Sequence, residues 1–150
     1  MAKPQLPNLI IIGAMKCGTT SLHYYLSQHP EIYMSKLKEL WFFLEENNWS
    51  KGLDWYKSHF KTNARIRGEA SPGYTMYPSR QGIPKKMHTI LPNAKIIYII
   101  RDPIARFESE YMHRFTGGVE DRSFEEVLNC DHTYQRYLNK SRYYNQIEQY

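Results

Sequence analysis

Lys16 stands between Gly13 and Gly18 and is followed by Thr19, Thr20 and Ser21, a combination suited to holding an anion. Two glycines allow the tight turn in which backbone N–H groups converge, and the hydroxyl-rich residues open a helix whose first amides face the same point. Lys16 adds a mobile positive charge, and the hydroxyls reach oxygens that the amides do not. Arg101 and Ser109, eight residues apart, form a second group of this kind. A guanidinium fork with a hydroxyl about two helical turns further on suits a phosphate monoester. Each group has a plainer reading, a glycine turn with an incidental lysine or an Arg–Asp surface pair with a helix serine. The two together, in this order, favour anion binding.

The elements that must position these residues are legible from hydrophobic patterning. Leu9-Ile10-Ile11-Ile12 is too short for a helical stripe and lacks polar alternation, which predicts a strand buried on both faces of a parallel sheet. Ala94 to Ile100 predicts a second strand of the same kind, running into Arg101-Asp102-Pro103 and a helix that carries Phe107, Ser109, Tyr111 and His113. Arg65 to Tyr74 reads as a strand ending in a turn, with Glu69 near its carboxyl end, the edge where open α/β sheets bind ligands. Glu31 to Met34 is a short strand candidate.

Helical spacing of Leu22, Tyr25 and Leu26 ends at Gln28-His29-Pro30, because proline cannot continue a helix. Leu53, Tyr56, Lys57 and Phe60 suggest a short amphipathic helix, and Ile83, Met87, Ile90 and Leu91 a crossover helix. Trp41, Phe42 and Phe43 read as core packing. Ser123 and Glu126 make a capping-box pattern, and spacing in the tail from Tyr134 to Tyr150 is only weakly helical. The expected architecture is one domain over 1–150, a three-layer α/β/α fold around a parallel sheet, P-loop-like, with the two anion cradles at the carboxyl ends of neighbouring strands.

Composition narrows the class. With 41% hydrophobic and 23% charged residues the chain is of ordinary globular type. A net charge of +5 favours anionic ligands, although a modest excess of Lys and Arg also simply aids solubility. Two cysteines and six scattered histidines make neither a disulfide framework nor a metal site, so no metal is expected. No run approaches the roughly 18 apolar residues of a membrane span, the start has no apolar signal region, and a cytoplasmic protein without membrane or nucleic-acid partners is expected.

The strand, short Gly–Lys–x–Gly–Thr–Thr loop and helix resemble the 5′-phosphosulfate loop of sulfotransferases that use 3′-phosphoadenosine 5′-phosphosulfate (PAPS). A Walker A loop would instead place its lysine directly after the last glycine, whereas Lys16 precedes Gly18 by two. The Arg101–Ser109 spacing after a strand is similar to the 3′-phosphate element of the same enzymes. Lys38 lies in a Lys–Glu–x–x–Phe–Phe string resembling the carbohydrate-type members, with Trp41 where many of them have histidine. The Glu–x–Ser–Pro–x–Tyr string at Glu69 resembles a segment that supplies the catalytic base in heparan-sulfate-type enzymes, and the Lys–Thr–His string of the cytosolic small-molecule enzymes is absent.

The resemblance implies a transferase moving a sulfuryl group from PAPS to a hydroxyl or amine of a sugar or other small molecule. Lys16, Cys17, Gly18, Thr19, Thr20 and Ser21 would bind the 5′-phosphate, and Arg101 and Ser109 the 3′-phosphate. Lys16 and Lys38 would stabilise developing charge, and Glu69 would take the acceptor proton. It also implies a C-terminal segment, closing over the nucleotide and acceptor, beyond the residues of this chain. A magnesium- and ATP-dependent P-loop phosphotransferase and a non-catalytic nucleotide-binding fragment are the alternatives.

Overall fold

The computed structural model describes residues 3–150. Its centre is a four-stranded parallel sheet of β1 (Leu9–Gly13), β2 (Ile32–Met34), β3 (Ile66–Ala70) and β4 (Lys95–Tyr98), in the order β2-β3-β1-β4. Among the described residues seven α-helices surround it: α1 (Thr19–Ser27), α2 (Gly52–Ser58), α3 (Ile83–Ile90), α4 (Pro103–Thr116), α5 (Phe124–Asn129), α6 (Asp131–Asn139) and α7 (Tyr143–Ile147). The expected α/β class and parallel sheet are present, with helices on both faces.

β1 is central and wholly buried, which explains its unbroken aliphatic run. Alternation along the strand sends its side chains to two cores. Ile10 and Ile12 pack among Leu40, Phe42, Phe43, Tyr56 and Met87, beneath α2 and α3. Leu9 and Ile11 pack with Met34 and Ala70, against Leu22 and Leu26 of α1. A third cluster, Phe107, Tyr111, Val127 and Tyr137, joins α4, α5 and α6. Trp41, Phe42 and Phe43 do serve packing: Phe42 stacks on Tyr56 with ring centroids 4.1 Å apart.

β4 corrects the expectation of a second strand buried on both faces. Among the described residues it pairs with β1 alone and forms an edge of the sheet; Ile96 is 43% exposed, and Ile100, just past the strand, 57%. Its registration on β1 (Leu9 opposite Lys95, Ile11 opposite Ile97) still brings both strands' carboxyl ends together. The Ser123–Glu126 capping box forms as expected at the start of α5. The weakly periodic tail folds into α6 and α7.

Candidate active site

β1 ends at Gly13, where close approach leaves no room for a side chain. A Cβ there would lie 2.1 Å from Thr75 Oγ1 and 2.9 Å from the Tyr98 ring. The ladder to β4 continues past the strand ends, through Ile99 N–H to the Gly13 carbonyl (2.8 Å) and Ala14 N–H to the Ile99 carbonyl (2.7 Å). The loop that follows is turned by left-handed backbone at Lys16 (φ 66°) and Gly18 (φ 90°), and the Leu22 amide closes the first turn of α1 onto the Gly18 carbonyl (3.0 Å). No side chain caps α1, so its first amides stay available in front of the loop.

A cavity of about 630 Å³ opens over this loop. Lys16, Gly18, Thr19 and Thr20 form its floor, Lys38 and Glu39 one wall, and His113, Arg114, Glu110 and Lys140 the other. The volume is that of a nucleotide-sized site. Two features of the chain itself fit an anionic occupant: the space before Gly18 is open, with nothing within 4 Å of an added Cβ, and Arg114 Nε is buried without a hydrogen-bond partner.

The far wall is built on a buried ionic network. Glu110 accepts from Arg106 Nη1 (2.7 Å) and pairs with Lys140 Nζ, while Arg106 also donates to Ser141 Oγ (2.5 Å) and the Tyr137 carbonyl (2.6 Å). Burial depresses the Lys140 ammonium below the usual lysine range, opposed by the Glu110 charge. The network fixes α6 to α4, and with it the spacing of the cavity walls.

The structure brings several expected residues together and separates others. Lys16, Gly18, Thr19, Thr20 and Lys38 face one cavity. Cys17 is buried behind the loop, its thiol 3.7 Å from Tyr143 Oη and from the Met15 carbonyl, and Ser21 is exposed on α1 outside the lining. Arg101 leaves the end of the β4 segment and donates from Nη1 to the Lys16 carbonyl (3.3 Å). Asp102 is the cap of α4, accepting from the Ala105 amide (2.8 Å), so it is committed to the helix rather than to Arg101. Ser109 is half-buried on α4 and does not line the cavity.

Glu69, expected as the proton acceptor, is not among the residues that line the cavity. It does lie near the carboxyl end of β3, but its side chain is wholly buried and absent from the cavity wall. Its oxygens accept from Tyr56 Oη (2.6 Å), Tyr74 Oη (3.1 Å) and Ser71 Oγ (2.8 Å). Burial pushes its carboxyl above the ordinary range, and the three hydroxyls oppose the shift.

Glu39 is a carboxylate that lines the same cavity as Lys16. Its Oε1 lies 2.5 Å from Lys38 Nζ, and the pair is partly exposed at the wall. Glu39 and Trp41 both hold left-handed backbone, φ 62° and 52°, which for residues with side chains costs on the order of 1–3 kcal/mol each and persists only where the surroundings impose it. Sequence reasoning passed over Glu39, although it follows Lys38 directly in the Lys–Glu–x–x–Phe–Phe string.

Sequence comparison matches residues 6–150 to the Sulfotransferase domain family. The chain belongs to that family. It is 34% identical to the membrane-associated sulfotransferase kil1 of Dictyostelium discoideum over 95% of its length, covering 33% of that protein. It is also 34% identical to human bifunctional heparan sulfate N-deacetylase/N-sulfotransferase 2, over 76% of the chain and 14% of the relative. The chain therefore spans a third or less of these relatives. Among solved structures, a sulfotransferase from Alicyclobacillus acidocaldarius superposes with a TM-score of 0.82 at 32% identity, over 97% of this chain and 68% of the other.

Proposed function

We propose that this domain transfers a sulfuryl group from PAPS to an amine or hydroxyl of a sugar acceptor, with Lys16, Lys38 and Glu39 at the reacting centre. The observation that carries this reading is that all three side chains open onto one cavity over the Lys16 loop. PAPS would supply an activated sulfuryl group, and the heparan sulfate names of the relatives support a carbohydrate acceptor.

The roles of this chain's residues follow from their positions. Lys16 and the amides of Gly18 to Thr20 hold the 5′-phosphate and steady the charge that builds as the sulfur–oxygen bond to it breaks. Lys38 neutralises the sulfuryl oxygens. Glu39 takes the proton of the acceptor hydroxyl or amine as the new bond to sulfur forms, replacing Glu69 in that role. Arg101, beside the loop, contributes charge toward a 3′-phosphate, and Ser109, outside the cavity lining, would assist it.

Calorimetric titration with 3′-phosphoadenosine 5′-phosphate, against ADP with magnesium, tests the donor site. Preference for the 3′-phosphorylated nucleotide, weakened by Arg101→Ala, supports the reading. Preference for ADP with magnesium would establish phosphoryl transfer in its place. Nucleotide binding with full turnover by Glu39→Gln would remove Glu39 from the chemistry.

A further inference from the structure

Glu69, excluded from the cavity, is connected to it. Its Oε2 accepts the hydroxyl proton of Ser71 at 2.8 Å, and Ser71 Oγ in turn accepts from the main-chain N–H of Trp41 at 3.2 Å. One residue earlier, the Ala70 carbonyl accepts from the main-chain N–H of Glu39 at 2.9 Å. The two residues that follow Glu69 thus hold the two left-handed residues of the Lys38–Glu39 wall. The Trp41 ring completes the attachment: it lies over Gly73, where a Cβ would come within 2.3 Å of it, with the Arg80 guanidinium 4.8 Å from the ring centroid.

We infer that Glu69 is a positioning residue, acting through Ser71 and the Trp41 amide to hold Lys38 and Glu39 at the cavity wall. A serine hydroxyl has one proton and two lone pairs. While that proton is committed to Glu69 Oε2, Ser71 presents lone pairs alone to Trp41, and the Trp41 N–H has one fixed acceptor. Tyr56 and Tyr74 both donate to the other oxygen of Glu69, so the carboxylate cannot turn without breaking two further buried hydrogen bonds. Strained backbone at a reacting carboxylate needs such over-determination, because a displacement of about 1 Å costs on the order of a hundredfold in rate.

The inference rests on the assignment of Lys38 and Glu39 to the chemistry, so the experiment separates the two. Release of 3′-phosphoadenosine 5′-phosphate from PAPS is measured with a glucosamine oligosaccharide as acceptor for wild type, Ser71→Ala, Glu69→Gln and Glu39→Gln, alongside affinity for 3′-phosphoadenosine 5′-phosphate.

Ser71→Ala, which removes one oxygen and leaves the core volume nearly unchanged, is expected to lose about tenfold or more in kcat, with nucleotide affinity within about twofold of wild type. Glu69→Gln keeps an oxygen for the tyrosines but turns an amide N–H2 toward Ser71, which then accepts instead of donating and has its proton uncommitted, so kcat is expected to fall, though by less than in Ser71→Ala. A purely structural role would lower the melting temperature of Ser71→Ala and leave kcat per folded molecule unchanged, which overturns the inference. Loss of turnover in Glu69→Gln as complete as in Glu39→Gln also overturns it, restoring Glu69 as proton acceptor. Full turnover by Glu39→Gln defeats the underlying assignment and is read independently of Ser71→Ala.

Hydrogen exchange at the Trp41 amide reads the same linkage without turnover. Protection is expected in wild type, weaker protection in Glu69→Gln and its loss in Ser71→Ala, whereas unchanged protection in Ser71→Ala overturns the linkage.

Discussion

Arg101 donates from Nη1 to the main-chain carbonyl of Lys16 at 3.3 Å, joining the end of the β4 segment to the left-handed turn of the anion loop. Tyr143 donates to the Arg101 carbonyl at 2.9 Å, and burial, with the nearby Cys17 thiol, pushes its phenol up to about 12, so it keeps its proton across the physiological range. The two segments read as separate cradles in the sequence are therefore one connected surface. Arg101→Lys preserves charge but loses the planar fork. It is expected to weaken 3′-phosphoadenosine 5′-phosphate binding by about tenfold and ADP binding less, measured by calorimetry on both ligands.

Gly13 admits no side chain because Thr75 and Tyr98 press against it. Gly13→Ala is expected to lose about 1–3 kcal/mol of stability by overpacking, read as a lower urea midpoint with unchanged slope. Gly18→Ala, with open space but φ 90°, is expected to strain the loop and weaken nucleotide binding with a smaller effect on the midpoint. A reversed order of the two midpoints would refute this account of the glycines.

The Glu69 carboxyl is raised above its ordinary value of 4.5 by burial, so the folded protein binds its proton more tightly than the unfolded chain. Its contribution to stability is complete below pH about 4.5 and is lost as pH rises through the elevated folded value. Glu69→Gln has no such proton to lose. Its melting temperature relative to wild type is expected to climb as pH is raised from 4 to 7 in a calorimetric series. A relative melting temperature that falls over that range would mean that the three hydroxyl donors outweigh the burial.

Glu110 also borders the cavity, yet both its oxygens are committed to buried cations. Glu110→Leu would leave Arg106 and Lys140 buried without a counter-charge and is expected to cost about 3–5 kcal/mol by denaturant titration. A variant of full stability and lost turnover would assign Glu110 to the chemistry.

The parts of the fold legible in the sequence are those set by local pattern. Leu9 to Ile12 announce a buried strand, Gly13 and Gly18 announce the loop, and Ser123 with Glu126 the cap of α5. What the sequence left open depends on distant neighbours. Ile96 lies in an aliphatic run as Ile10 does, yet Ile10 sits in the central strand and is wholly buried while Ile96, in the edge strand among the described residues, is 43% exposed. Glu69 and Glu39 were both visible as carboxylates in family-like strings. Which one reaches the cavity is decided by Tyr56, Ser71 and Tyr74 closing over Glu69 and by the left-handed backbone of Glu39, neither of which has a periodic signature.

The open flank of β4 also affects how the molecule behaves at high concentration. Among the described residues, one side of the strand has no partner strand beside Ile96, and such an edge is a template for edge-to-edge aggregation with a neighbouring molecule. Lys95, exposed at the start of the strand, is a gatekeeper charge on that flank, since stacking two such edges in parallel brings like charges together.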